Sequence, residues 1–287
     1  MKGLDLPSRI TDPSHSRNSP PEPIRGVDCH AHVFTPNQPF AADRHYTPPY
    51  GATLTDYLGM LDRNGMSHGV LVQPSFLGTD NGYLLEALRQ EPNRLRGIVV
   101  LSPSVSRDDL RELDRTGVVG VRLNVIRKSL PPLQEPVWQR HLADVAALDW
   151  QVEVHAQASC LPEIISPLLQ AGVRVVIDHF GRMDKKGIDS AGFRYLLTVG
   201  ATGRVWVKVS AAYRLPGGNA QALAAIPRLR DSFGLKRLLW GSDWPHTQFE
   251  SIIDPSATRR DLEEWFPNPI ERRVVLIDTP ACLFRFH

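Results

Sequence analysis

The chain has 287 residues, of which 42% are hydrophobic and 22% charged, and a formal charge of +2, a profile that fits an ordinary globular protein. So small a charge leaves no electrostatic footprint for nucleic acid, and no apolar run approaches the roughly 20 residues that span a bilayer. Neither nucleic acid nor a membrane is an expected partner.

Residues 1 to 24 hold five prolines and no apolar centre, which predicts a flexible N-terminal arm rather than a signal peptide. The arm's other expected role is to pack on a neighbouring subunit of a homo-oligomer. Residues 25 to 287 read as one domain. Its first apolar run, GVDCHAHV at 26–33, carries His30 and His32. Residues i and i+2 of a strand share a face, so both imidazoles converge on one point. Next comes TLTDYLGMLDRNG, with Leu54, Tyr57, Leu58 and Leu61 at helical spacing and Gly65 as a natural stop. Strand-like runs then recur at 68–75, 94–101, 118–125, 150–157, 173–180, 205–212 and 237–244, with helix-like stretches between them. The segment from Asn268 to His287 reads as one more helix and a short closing piece.

Alternating strand and helix units require parallel strands with right-handed crossovers, and eight of them close into a (β/α)8 TIM barrel of the α/β class. An open doubly wound sheet is the competing arrangement, but the glycine-rich phosphate loop that it normally carries after an early strand is missing. Three cysteines, Cys29, Cys160 and Cys282, form no CxxC pair. They are expected to be free and mostly buried thiols in a reducing, cytoplasmic setting.

Active sites of this fold lie at the C-terminal ends of the strands. The polar residues expected there are His30 and His32, Ser75, Arg122 and Asn124, His155, His179, Lys208 and Ser210, and Asp243. Several histidines and an aspartate at equivalent positions of different strands are not explained by packing, because buried polar groups cost free energy unless paired.

The segments DCHAHVF, VQPSFLGTDN, GVRLN, VIDHFGR, VKVSAAYRL and WGSDWPH, in that order, resemble the amidohydrolase superfamily. Within it they are similar to the branch of 2-pyrone-4,6-dicarboxylate lactonase and related lactone hydrolases. The resemblance implies a hydrolase that opens a carboxylated lactone, with Asp243 as general acid and base and His30, His32 and His179 polarising the carbonyl. It further implies that Tyr46, Ser75, Arg122, Lys128 and Arg214 bind the substrate; His246 and His155, the latter a departure from the branch, are expected to join them. Lys128 stands where the branch carries an arginine, and Gln248 where it carries an asparagine, so the pocket is open to a different lactone, a sulfo-lactone or sugar lactone included.

The branch implies that no metal is required. The residue types themselves also permit one zinc or manganese ion on His30, His32, His179 and Asp243, a set that His155 would extend. The fourth strand offers Arg122 and Asn124 in place of the lysine or glutamate that bridges two metals in binuclear members, so a binuclear centre is not expected. A metal-dependent hydrolase or decarboxylase of the same superfamily is the alternative activity.

Overall fold

The computed structural model describes residues 23–287. Eight strands form one parallel sheet in the order β1 to β8: β1 (Val27–Ala31), β2 (His68–Val72), β3 (Leu95–Val99), β4 (Val118–Asn124), β5 (Gln151–His155), β6 (Arg174–Ile177), β7 (Val205–Ser210) and β8 (Leu238–Gly241). The intervening helices are α1 (Leu54–Arg63), α2 (Gly82–Gln90), α3 (Arg107–Arg115), α4 (Pro136–Ala147), α5 (Leu161–Gln170), α6 (Ala191–Val199) and α7 (Gly218–Phe233), and α8 (Pro255–Trp265) follows β8. This is the expected TIM barrel. The predicted N-terminal arm lies outside the described residues except for Pro23 and Ile24.

Local sequence explains the elements. Helix α1 starts at a capping box in which Thr53 and Asp56 satisfy each other's backbone N–H, and it buries Leu54, Tyr57, Met60 and Leu61. Gly65 takes φ +68 just beyond its end, where a side chain would be strained. The C-terminal stretch is helical from Pro269 to Leu283 with a π turn at Val274–Asp278.

The core has two layers. Outward-facing strand residues such as Val154, Ile177, Val207 and Trp240 pack beneath the helices. An inner cluster of Val27, Cys29, Val70, Val72, Ile98, Val176 and Leu239 is packed against Leu283, Phe284 and Phe286. Strand β1 changes face partway along: Val27 and Cys29 belong to the inner cluster, Ala31 and Val33 to the outer one, and the register with β2 shifts between Asp28 and Ala31. This bulge turns both Cys29 and His30 into the barrel, the re-aiming that bulges supply.

The barrel closes just past β8. Asp243 N–H donates to His30 O at 2.8 Å, His32 N–H donates to Trp244 O at 2.8 Å, and Ala31 bridges to Trp244. The seam therefore places Asp243 beside His30 of β1 and His32 just past its end. Gly241 leaves room for them, because a Cβ there would lie 2.7 Å from His30 Cβ and 2.8 Å from His30 N. Gly241→Ala is expected to displace His30 and destabilise the protein by about 1–3 kcal/mol. Urea unfolding checks this, and an unchanged midpoint contradicts it.

Several expected strands are shorter than their apolar runs. The sixth stops at Ile177 and the eighth at Gly241 because His179, Phe180 and Asp243 have φ of 49°, 57° and 60°, a left-handed conformation that cannot continue a strand. Ser75 likewise lies in a 3-10 turn after β2. Lys208 sits inside β7 rather than at its end. The cysteines are free, but only Cys29 is buried; Cys160 is half-buried and Cys282 exposed, since Cys282 lies on the C-terminal helix rather than in a strand. Among the described residues no helix is long and apolar enough to cross a membrane.

Candidate active site

The C-terminal face of the barrel opens into a cavity of about 290 Å³ whose walls include His32, Ser75, Arg122, His155, His179, Arg214 and Asp243. Asp243 is its centre. Oδ2 accepts from Arg214 Nε at 2.5 Å and from the Tyr213 hydroxyl at 2.6 Å. Oδ1 faces the Nε2 atoms of His30, His32 and His179 at 3.7, 3.8 and 3.9 Å. These separations are too long for direct hydrogen bonds and short enough for a single atom bonded to both sides.

The second nitrogen of each ring is engaged differently. His32 Nδ1 lies 2.7 Å from Val72 O; a carbonyl only accepts, so this nitrogen carries the proton and Nε2 offers a lone pair. His179 Nδ1 lies 2.8 Å from Ser210 Oγ. His30 Nδ1 lies 3.0 Å from Lys208 Nζ. His155 Nδ1 is 3.5 Å from Arg122 Nη2, and its ring stands edge-on to His179.

Beneath the site is a fully buried set of charges. Lys208 pairs closely with Glu153 and lies 3.4 Å from Asp178 Oδ1, while Arg122 Nη2 bonds Asp178 Oδ2 at 3.3 Å. Arg122 also donates to Gln73 O at 3.0 Å, which fixes its guanidinium at the cavity wall. Two cations and two anions balance, as buried charges must.

These surroundings set the protonation states. Burial alone would raise the pKa of Asp243, but the charge of Arg214, with smaller help from His179 and His30, holds it well below the usual carboxylate range. Burial lowers His32, His155 and His179 well below the ordinary imidazole value, and His246 to about 4. Tyr213 is pushed up by burial and by Asp243, so it stays a donor. At neutral pH the site therefore holds an ionised aspartate beside the neutral rings of His32, His155 and His179.

In the unfolded chain these histidines bind protons below about pH 6.5, whereas in the folded chain they stay neutral. Stability is thus complete above that pH and lost as the pH falls, by about 1.4 kcal/mol per pH unit for each ring. Asp178, which burial raises but His30 and Lys208 bring well below its usual value, and Asp243 add further loss only below about pH 4. The urea midpoint is expected to drop steeply from pH 6.5 to 5; a constant midpoint contradicts buried neutral rings.

Of the other expected residues, Tyr46 lines the cavity and donates to Glu250 at 3.2 Å, and Lys128 at the rim pairs with Asp43 at 2.7 Å. His246 is buried behind the wall, with Nδ1 3.2 Å from the Tyr213 hydroxyl. Arg127 and Arg182 add positive charge to the lining. Glu153, Asp178 and Tyr213 were not anticipated. Glu153 stands two residues before His155, as Lys208 does before Ser210, so the inward alternation of the strands carried a signal for both. Tyr213 reaches Asp243 only because a 3-10 turn at Ala212–Arg214 folds it back, which no periodicity reveals.

For a metal, His30, His32 and Asp243 bring one ligand atom each within 4.8 Å of one another, and so do His30, Asp178 and His179. An imidazole that ligates through Nε2 donates its Nδ1–H to an acceptor. His32 meets that requirement with Val72 O. His30 Nδ1 has a donor as its nearest neighbour, the Lys208 ammonium at 3.0 Å, with Asp178 Oδ1 and Glu153 Oε1 farther off at 3.3 and 3.4 Å.

Residues 27–286 match the amidohydrolase family profile. The chain is 31% identical to 4-sulfomuconolactone hydrolase of Rhizobium radiobacter, over 90% of this chain and 89% of that one. It is 30% identical to 2-pyrone-4,6-dicarboxylate hydrolase of Comamonas testosteroni, over 91% and 90%. A crystal structure from Acinetobacter baumannii, named for 2-pyrone-4,6-dicarboxylic acid hydrolase and holding citric acid, superposes with a TM-score of 0.89 at 39% identity, covering 92% of this chain and 100% of that one.

Proposed function

Because this chain belongs to the amidohydrolase family, we propose that it is a hydrolase that opens the ring of a small dicarboxylated lactone, 2-pyrone-4,6-dicarboxylate or a close analogue. The observation that carries this reading is the carboxylate of Asp243, fixed through Oδ2 by Arg214 and Tyr213 and turning Oδ1 to three imidazole nitrogens. Oδ1 takes a proton from water as its oxygen adds to the lactone carbonyl. Imidazole N–H donors stabilise the oxyanion. The ring C–O bond then breaks, and Asp243 returns the proton to the departing oxygen.

The cations of the cavity support an acidic substrate. Arg122, Arg182 and Arg214 line its floor and walls, with Arg127 and Lys128 at the rim, and guanidinium groups bind carboxylates in a planar fork. The tricarboxylate held by the Acinetobacter structure agrees with such a pocket. A sulfonated lactone is the second reading, favoured by the identity to 4-sulfomuconolactone hydrolase; sulfonate and carboxylate make the same demand on arginine.

The site is read as working without a metal, since the Lys208 contact at His30 Nδ1 leaves the donor set incomplete. All steps above use the chain's own groups. The test is a panel of dicarboxylated, sulfonated, monocarboxylated and neutral sugar lactones offered to the purified protein. Dianionic rings are expected to open with the highest kcat/KM, at least about 100-fold above neutral ones. Equal rates on neutral sugar lactones would refute the assignment of the cations.

A further inference from the structure

We propose that Lys208 is a positioning residue: clamped by Glu153, its ammonium donates to His30 Nδ1 and holds that ring in the tautomer whose Nε2 carries the proton, so that His30 is a fixed donor to the reacting carbonyl. Lys208 is fully buried inside β7 and its ammonium meets the Nδ1 edge of His30, away from the Nε2 that faces Asp243, so it does not touch substrate. A buried lysine is costly unless its surroundings use its charge, and these surroundings point it at one imidazole.

Three groups compete for His30 Nδ1. Lys208 Nζ is nearest at 3.0 Å, with Asp178 Oδ1 at 3.3 Å and Glu153 Oε1 at 3.4 Å. The two carboxylate oxygens lack hydrogen-bond partners, so neither is aligned to accept from the ring. Burial and the Lys208 charge disfavour a proton on the ring and the carboxylates favour one, with a net upward pull on its pKa. Contact geometry overrides that pull: an imidazolium would set its Nδ1–H donor 3.0 Å from the Lys208 ammonium, which pairs closely with Glu153.

His30 and His32 are therefore locked in opposite tautomers. Val72 O keeps the proton of His32 on Nδ1, leaving Nε2 unable to donate while the ring is neutral. Lys208 keeps the proton of His30 on Nε2, which faces Asp243 Oδ1 and has no other partner. The ammonium also withdraws charge from the ring and makes the Nε2–H a stronger donor.

The test is ¹⁵N NMR of histidine-labelled full-length protein at neutral pH, with His30 assigned through the His30→Gln variant. The expected spectrum has His30 protonated on Nε2 and His32 on Nδ1. In Lys208→Met, His30 is expected to move its proton to Nδ1, and kcat for lactone opening to fall about 100-fold with KM changed less than about threefold. An Nδ1–H on His30 in the unsubstituted protein overturns the proposal even if Lys208→Met does not fold, and so does a folded Lys208→Met with an unchanged tautomer or kcat. Only the kinetic arm rests on the lactone-hydrolase reading. The expected spectrum in a protein that opens no lactone sustains the tautomer and fails that reading alone.

Discussion

Asp243→Asn is expected to lower kcat for lactone opening by about 10⁴-fold while the Kd for an unreactive dicarboxylate stays within about threefold. The amide keeps the shape of the side chain, and its oxygen still accepts from Arg214 and Tyr213, the two groups that hold Oδ2. What faces the imidazoles is then an NH₂ in place of Oδ1, which cannot take a proton from water. Substrate binding survives because Arg122, Arg182 and Lys128 are untouched. Single-turnover kinetics and calorimetry on the same preparation separate the two quantities. A variant that retains kcat within tenfold removes Asp243 from the proton transfer.

Arg122→Met is expected to destabilise the protein by about 3–5 kcal/mol. Both partners in its ion pair with Asp178 are buried, so the loss is not the small energy of a surface salt bridge. Methionine covers much of the same volume but leaves Asp178 with a single nearby full cation, Lys208, which already serves Glu153. Adding Asp178→Asn is expected to recover part of the loss, because it removes the uncompensated charge. Urea unfolding of both variants decides; a single variant within about 1 kcal/mol of the parent contradicts the interdependence of the four charges.

The sequence carried the barrel and the reacting face further than it carried their support. The i, i+2 spacing of His30 and His32 is a local property of the sequence, and the seam beside Trp244 makes their meeting with Asp243 a consequence of closing eight strands. Glu153, Asp178 and Lys208 were harder to assign because each is a lone charge in a β-branched run. Their meaning lies in partners 55 and 30 residues away along the chain. Strand ends were misjudged where hydrophobicity continues but the backbone turns left-handed, as at Phe180, since the constraint there comes from the site and not from side-chain pattern. The rim was legible only as residue type: Lys128 shows a cation in the sequence, and its pairing with Asp43 only in the folded chain.

Hydrolysis of a dianionic lactone by Asp243 and its imidazoles, without a bound metal, is the proposed reaction. It is tested most directly by incubating chelator-treated protein of measured metal content with 2-pyrone-4,6-dicarboxylate and following ring absorbance and acid release together. Ring opening that persists at far below one metal ion per chain, with one acid equivalent per ring and no carbon dioxide, is the predicted result. Activity that vanishes with the metal and returns with zinc or manganese, or release of carbon dioxide in place of acid, would contradict it.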